Sequence, residues 1–559
     1  MRPIYKYLII AALAVAVFGY IEWTPTLADP DSFYHAKFTA MLKDNWETAT
    51  AGKFPWTYFT VWRETFADHH FLYHLAVVPI ISVMSKINPP LSPFFKGGNG
   101  GGFAPLYAVK VAAVVFCTLF FLIFYWFLRR ENIYGAFFYT ILLFFSRGLL
   151  YRFGLPKAPV ISAAILIFVL YFLLKKRFWP LAIVAFLYVW AYGGWPLIFV
   201  FLGFYLLAEI LKEKILTFSS PPFKGGVGGG KFNFWRVMLR REMVLPVIFV
   251  SLGTALGLVF NPYFPENIVF YFTQYFRIFY TGYQNEVLVG NEWYPSGAGF
   301  LFGGALPVFI LGASAIGVFV YGIFRRSRSE NRGAIINKDE VMKIFMLAFI
   351  FGAFLIWTIQ SRRNIEYLVP FGIIFFAFLN NFNADFFQRP KEIFSAIFGK
   401  RKFFGQAVVV IFVSVYILRA LLDINGVRAD FKSGYPLEKY RPAAAWLKQN
   451  TAPGEIIFHD NWSTFPMLFY WNDQNYYIFG EDPTAFWAFD RDLYRAYSDI
   501  IYKHKTENLG AAIRGKFNSK YVLLDMQNRP FDEALKSDKD FKLVYWDKEV
   551  KIYKLTGSN

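Results

Sequence analysis

The chain has 559 residues, of which 56% are apolar, 21% aromatic (69 are Phe) and only 17% charged. A soluble protein carries about a quarter charged residues, so the composition excludes an ordinary soluble enzyme and predicts a polytopic α-helical membrane protein. Its formal net charge of +19 is what cytoplasmic loops of such a protein carry and is no sign of a nucleic-acid partner. The single cysteine, Cys117, excludes an internal disulfide.

Apolar runs long enough to span a bilayer, oriented by Lys and Arg, predict about eleven transmembrane helices. Tyr5–Ile21, with Arg2 before it and Lys6 at its start, enters from the cytoplasm. It reads as a retained anchor in preference to a cleaved signal peptide, because many spans follow. A long external loop covers 22–102. Within it Phe71–Met84 is short and contains Pro79. It is placed on the outer surface, because Phe103–Leu128 ends in Arg129-Arg130, which belongs in the cytoplasm. Ile133–Leu149 returns outward to an external loop carrying Arg147, Arg152 and Lys157. Ala158–Leu174 runs in to Lys175-Lys176-Arg177, Pro180–Tyr192 out, and Trp195–Leu211 back in. Leu245–Phe260 leads to a second external loop, 261–299. Phe300–Ile323, Val341–Ile359, Glu366–Leu379 and Ala407–Leu422 complete the set, with basic connections at Arg325–Arg332 and Gln388–Lys402.

Two glycine-rich segments nearly repeat, within 92–102 and 220–230. A phosphate loop needs a strand before it, a helix after it and a Gly-x-x-x-x-Gly-Lys order. Neither segment has that order, so both read as low-complexity insertions. Residues 1–422 thus form a transmembrane domain. Residues 423–559 are polar, with short apolar strands at Glu455–Phe458, Tyr476–Phe479, Tyr521–Leu524, Lys542–Tyr545 and Val550–Tyr553. They read as a C-terminal extracytoplasmic α/β domain.

The chemistry gathers after the first span. Asp29-Pro30 reads as a helix start, with Asp29 as N-cap and Pro30 in the first turn. Asp31 and His35 then share a face. That face could hold a divalent metal or act as a general base, or be a helix cap at the interface. Four of six histidines, His35, His69, His70 and His74, lie in the first external loop, with Asp68 beside them. Asp29, Asp68 and His70 are the candidate metal ligands, for zinc or for Mg²⁺ or Mn²⁺. Glu292 in Asn291-Glu292-Trp293-Tyr294-Pro295 is a further carboxylate on an external loop. Arg147, Arg152, Lys157, Arg362 and Arg363 lie outside against the positive-inside bias, and anion binding or anchoring to lipid headgroups explains such an exception.

These stretches together resemble the GT-C superfamily of membrane glycosyltransferases, in particular the oligosaccharyltransferase catalytic subunit. The resemblance rests on Asp29-Pro30-Asp31-Ser32-Phe33-Tyr34-His35 after the first span, on Tyr192-Gly193-Gly194-Trp195, on the loop with Glu292, and on Ser361-Arg362-Arg363-Asn364-Ile365-Glu366-Tyr367. It implies transfer of a sugar from a polyprenyl-phosphate-linked donor to a protein, lipid or glycan acceptor, outside a bacterial or archaeal inner membrane. Asp29 and Asp31 would be catalytic and Glu292 would assist the acceptor. His35, Arg147, Arg152, Arg362, Arg363 and Trp462 would bind substrate, and the spans would form a groove for membrane lipid.

Two departures stand out. Where the family has an acidic ligand after an Arg-bearing stretch, this chain has Gly154-Leu155-Pro156-Lys157. The family's Trp-Trp-Asp-Tyr-Gly acceptor motif is absent, and His459-Asp460-Asn461-Trp462-Ser463-Thr464 stands in the comparable place. A transporter or flippase of a lipid-linked or anionic substrate, and a non-catalytic protein that kept the fold, are the alternative readings.

Overall fold

A computed structural model describes residues 3–87, 100–219, 234–279, 286–326, 338–382, 402–505 and 507–556. The expected insertion 220–230, most of 92–102, and most of the basic connections at 325–332 and 388–402 lie outside these residues. Among the described residues, six helices are long and apolar enough to cross a membrane, or up to eight if each of two sharply bent pairs is one span. The chain is an integral membrane protein. The six are Pro3–Glu22, Ala104–Arg130, Arg241–Val259, Asp339–Gln360, Arg362–Phe382 and Gln406–Lys432.

The difference from eleven lies largely in short elements. Pro159–Leu174 has 16 residues and Pro180–Ala191 has 12. At a rise of about 1.5 Å per residue they reach roughly 24 and 18 Å, short of a hydrocarbon core about 30 Å thick. Phe71–Ile87, with Pro79 inside it, is equally short at 17 residues. Leu197–Ser219 is long, but Glu209, Lys212, Glu213 and Lys214 interrupt its apolar run.

The chain divides into two compact units that do not follow chain order. The first comprises Met1–Trp23, Ala113–Gly257 and Asn291–Ala429. Its helices pack through small residues and buried hydroxyls, as apolar helices in lipid do. A Cβ on Gly253 would lie 2.1 Å from the Ala182 carbonyl oxygen, so only glycine permits that approach. The Ser162 hydroxyl sits 2.7 Å from the Tyr188 hydroxyl and 2.8 Å from that of Tyr367, joining three helices.

Two apolar segments of this unit are broken. Ala136–Phe145 meets Arg147–Gly154 at 79°, and Ala298–Gly304 meets Leu306–Gly317 at 82°. A break frees backbone groups that must find partners. Ser146 supplies them at both: its hydroxyl accepts from Leu149 N at 3.2 Å and donates to the Gly304 carbonyl at 2.5 Å.

The second unit comprises Thr24–Ala112, Leu258–Gly290 and Asp430–Asn559. Its centre is a five-stranded sheet in the order Tyr476–Tyr477, Ile456–His459, Tyr521–Asp525, Val550–Leu555, Phe541–Trp546. The first three strands are parallel and the last two antiparallel. All five expected strands are therefore present. Ile456–His459 and Tyr521–Leu524 are buried on both faces, which explains their unbroken apolar and aromatic composition. The core beneath them includes Phe458, Phe479, Phe486, Tyr497 and Phe517, joined by Phe59 from early in the chain. A second, two-stranded ladder pairs Thr26–Leu27 with Tyr435–Pro436. Gly434 allows this approach, since a Cβ there would meet Leu27 O at 2.1 Å.

Candidate functional site

The acidic corner lies in the second unit. Pro30 has helical torsions (φ −68, ψ −34) and opens the helix Asp31–Asp44. Asp29 Oδ1 accepts from Ser32 N at 3.2 Å and from the Ser32 hydroxyl at 2.7 Å, so it caps that helix as the Asp-Pro order requires. Asp31 stands in the first turn. Tyr435 of the short ladder faces these two acids. Burial first, then the Asp29 charge, pushes its hydroxyl up from the ordinary phenol value, against a hydrogen bond with Ser463. The loop that carries Trp462 thus reaches the corner through its neighbour Ser463, while Trp462 itself packs beside the sheet core.

Behind Asp31, His35 is 2% exposed and belongs to a buried chain of three side chains. Its Nδ1 lies 2.7 Å from His74 Nε2, and His74 Nδ1 lies 2.7 Å from Asp68 Oδ2. A carboxylate only accepts, so His74 carries its proton on Nδ1 and its Nε2 accepts from His35 Nδ1–H. Asp68 uses its other oxygen on His70 N, at 2.9 Å.

The proposed ligands Asp29, Asp68 and His70 are not gathered: among the described residues, no group of three or more His, Cys, Asp or Glu is placed to hold a metal ion. Asp68 is committed to the ring of His74, not to that of His70. The donor set as placed does not fit a divalent metal, and no chemical step is derived through one.

A second constellation lies in the first unit and is built on charge. Arg152, 7% exposed, donates from Nε to Glu366 Oε2 at 2.9 Å and from Nη1 to Glu292 Oε2. Arg363 Nη1 lies 3.4 Å from Glu292 Oε1, and its Nη2 donates to the Tyr192 hydroxyl at 2.8 Å. The guanidinium of Arg363 also stacks 4.9 Å from the Trp293 ring centre. Burial pushes the Glu292 carboxyl up, but Arg152, Arg363 and Lys157 outweigh it and hold the group well below the usual carboxylate range.

Glu292 is therefore a fixed anion between two guanidiniums. Glu366 is fully buried and completes the set. It stands three residues after Arg363, and an acidic residue close after two external arginines is the sequence signal for it. Arg362 points elsewhere: its Nε donates to Pro295 O at 3.1 Å and it stacks on Phe300 at 5.8 Å. Arg147 lies against Gly426, apart from the Glu292 set. The expected substrate-binding arginines thus divide, and Arg152 and Arg363 meet around Glu292.

No family model matches the chain, and no curated protein matches it in sequence. Solved structures do. The Archaeoglobus fulgidus oligosaccharyltransferase AglB, in complex with an inhibitory peptide and a dolichol-phosphate, aligns at a TM-score of 0.56 with 14% identity. The alignment covers 94% of this chain and 70% of that one. The same oligosaccharyltransferase in complex with Zn and sulfate aligns at 0.50 and 14% identity, covering 93% of this chain and 68% of that one. ArnT from Cupriavidus metallidurans, bound to undecaprenyl phosphate, aligns at 0.50 with 12% identity, covering 98% of this chain and 97% of that one. Across nearly its whole length, then, the chain has the fold of these AglB and ArnT structures.

Proposed function

We propose that the protein is a membrane glycosyltransferase that moves a sugar from a polyprenyl-phosphate-linked donor to an acceptor on the extracytoplasmic side of a prokaryotic inner membrane. The observation that carries this reading is the part-buried charge set around Glu292. Arg152, Arg363 and Lys157 outnumber Glu292 and Glu366 by three cations to two anions. A phosphate leaving group meets a net positive, preorganised site there. Donors fixed before the reaction are worth most where water is excluded. Tyr192 and Trp293 hold Arg363 in place.

In the second unit, Asp31 is the proposed base toward the acceptor. Asp29 fixes the helix that carries it. The Asn461–Ser463 turn beside Tyr435 is the proposed acceptor contact, and residues 423–559 the extracytoplasmic part. The neighbours named above hold dolichol-phosphate and undecaprenyl phosphate, which supports the donor class.

The test is transfer of labelled sugar from a polyprenyl-phosphate donor in membranes. Asp31→Asn combined with Arg363→Ala is expected to lower it by at least about 100-fold, the usual yield of a positioned base or charge. Full transfer in that double variant would overturn the proposal. One observation favours the translocator reading instead: broken apolar segments are the mark of many secondary transporters, and this chain has two. Translocation of a labelled lipid-linked sugar in proteoliposomes, without its consumption, would decide for that alternative.

A further inference from the structure

A cavity of about 220 Å³ with a mixed-charge lining opens in the first unit. It lies at the Lys176 end of the helix Pro159–Leu174, whose other end follows Lys157. At about 1.5 Å per residue that helix is roughly 24 Å long, which sets the cavity apart from the Glu292 set. Its charged lining is Lys176, Glu209, Lys212, Glu213, Arg240 and Glu242.

Most of these charges are paired. Lys212 Nζ meets Glu209 Oε2, and Arg240 Nη1 lies 2.7 Å from Glu213 Oε1. Asp339, in the first turn of the helix Lys338–Gln360, lies 3.1 Å from Lys176 Nζ and 3.6 Å from that of Lys212. Two acidic positions are left over. Glu209 is 4% exposed, yet no hydrogen-bond donor reaches its Oε1 among the described residues, and Lys176 Nζ stays 3.7 Å away. Glu242, in the first turn of the helix Arg241–Val259, makes no hydrogen bond or ion pair with any described residue, though its charge acts on Lys176 and Arg240. With Asp339 the set has four carboxylates (Glu209, Glu213, Glu242, Asp339) against three cations (Lys176, Lys212, Arg240). A buried carboxylate oxygen without a donor is costly, so the fitting guest brings N–H donors and a positive charge.

The walls select further. Among the described residues no aromatic side chain lines the cavity, so a quaternary ammonium lacks the cage it needs. A primary ammonium has three donors and suits two carboxylates. Arg240 is half-exposed, and its pairing with Glu213 engages Nη1, which leaves Nε and Nη2 for an anion. The wall also places the cavity at a bilayer surface. Val237 belongs to a segment on which Trp235 and Leu239, four apart, are exposed, and the apolar span Arg241–Val259 starts directly after it. Tryptophan beside arginine at the end of such a helix marks the headgroup level.

We propose that this cavity binds the headgroup of phosphatidylethanolamine, its ammonium donating to Glu242 and Glu209 Oε1 and its phosphate accepting from Arg240. A choline headgroup offers no N–H donor, a glycerol headgroup no positive charge, and a serine headgroup adds a carboxylate to a set already anionic. The assignment stands whether or not the chain transfers a sugar.

The test is native mass spectrometry of the full chain in lipid-free detergent micelles, titrated with the dihexanoyl forms of phosphatidylethanolamine, phosphatidylcholine, phosphatidylserine and phosphatidylglycerol. One copy of the ethanolamine lipid is expected to be retained saturably, at least about 10-fold more tightly than each of the others, the yield of one charge-assisted hydrogen bond. This headgroup preference is read on the unsubstituted chain and needs no variant. Glu242→Gln keeps the side-chain shape and removes the charge. It is expected to bring the four lipids within about 2-fold of one another, with melting in the same micelles unchanged. Free phosphoethanolamine at equal concentration is expected not to displace the lipid, since it lacks the acyl chains. Equal retention of the four lipids, tighter retention of an anionic one, a preference that survives Glu242→Gln, or displacement by free phosphoethanolamine overturns the proposal.

Discussion

Two adjacent residues at the end of a buried strand make an opposed pair of titrations. His459 is wholly buried, with Nδ1 2.9 Å from Asn461 O and Nε2 2.8 Å from Phe479 O. Burial pushes the imidazole down from 6.5 to about 4, although both carbonyls favour its charged form. Asp460 is 5% exposed and is pushed up by burial from 3.8 to about 6, against hydrogen bonds from Asn528 and Asp525 N.

Each gap corresponds to about 3 kcal/mol. The signs differ. The unfolded chain takes the His459 proton first, so stability present above pH 6.5 is lost as pH falls toward 4. The folded chain takes the Asp460 proton first, so a destabilisation present above pH 6 is relieved as pH falls toward 3.8. Between pH 6.5 and 4 the two nearly cancel. Asp460→Asn is expected to leave the histidine loss uncompensated, so that the sheet weakens by about 3 kcal/mol from pH 7 to 4. His459→Gln is expected to give a gain of similar size over the same interval. The assay is hydrogen exchange of the full chain, read on peptides covering Ile456–His459 and Tyr521–Asp525 and corrected for the intrinsic pH dependence. About 3 kcal/mol is roughly a 100-fold change in protection. A level profile for Asp460→Asn would refute the reasoning.

Further outcomes are expected elsewhere. Asp68→Asn removes the acceptor that sets the tautomers of His74 and His35. A loss of about 3 kcal/mol in thermal stability is expected, together with a changed tautomer signature in the imidazole ¹⁵N spectrum. Glu292→Gln leaves Arg363 without its carboxylate and Arg152 with Glu366 alone; transfer is expected to fall at least about 100-fold while detergent-phase melting shifts little, checked by activity and differential scanning on one preparation. Gly253→Leu drives a side chain into the Ala182 backbone and is expected to destabilise the first unit by about 1–3 kcal/mol or more, read from its melting temperature in micelles.

Local chemistry was legible where a few neighbouring residues decide the outcome. Asp29-Pro30 specifies a cap and a helical turn within four residues, and the structure has both. The strands around Ile457 and Val522 announce themselves because a parallel sheet buries both faces. Tertiary pairing was not legible. The i, i+4 rule puts His70 and His74 on one face, but not which of them meets Asp68; the answer depends on His35, 39 residues before His74. Glu366 reads as the polar start of a span until Arg152, 214 residues earlier, is placed beside it. Apolar runs alone predict crossings at Ala158–Leu174 and Pro180–Tyr192, but apolarity does not fix helix length, and these helices run for 16 and 12 residues.

The short ladder between Thr26–Leu27 and Tyr435–Pro436 bears on how the protein is made. The Thr26 hydroxyl bonds the carbonyl of Phe431, 405 residues further on. A ribosome delivers that partner only after three quarters of the polypeptide has emerged, and distant pairings of this kind close slowly. Until then the carboxylates of Asp29 and Asp31 face no Tyr435. A nascent or prematurely terminated chain can insert its helices, yet its acidic corner waits, incomplete, for the last fifth of the protein to arrive.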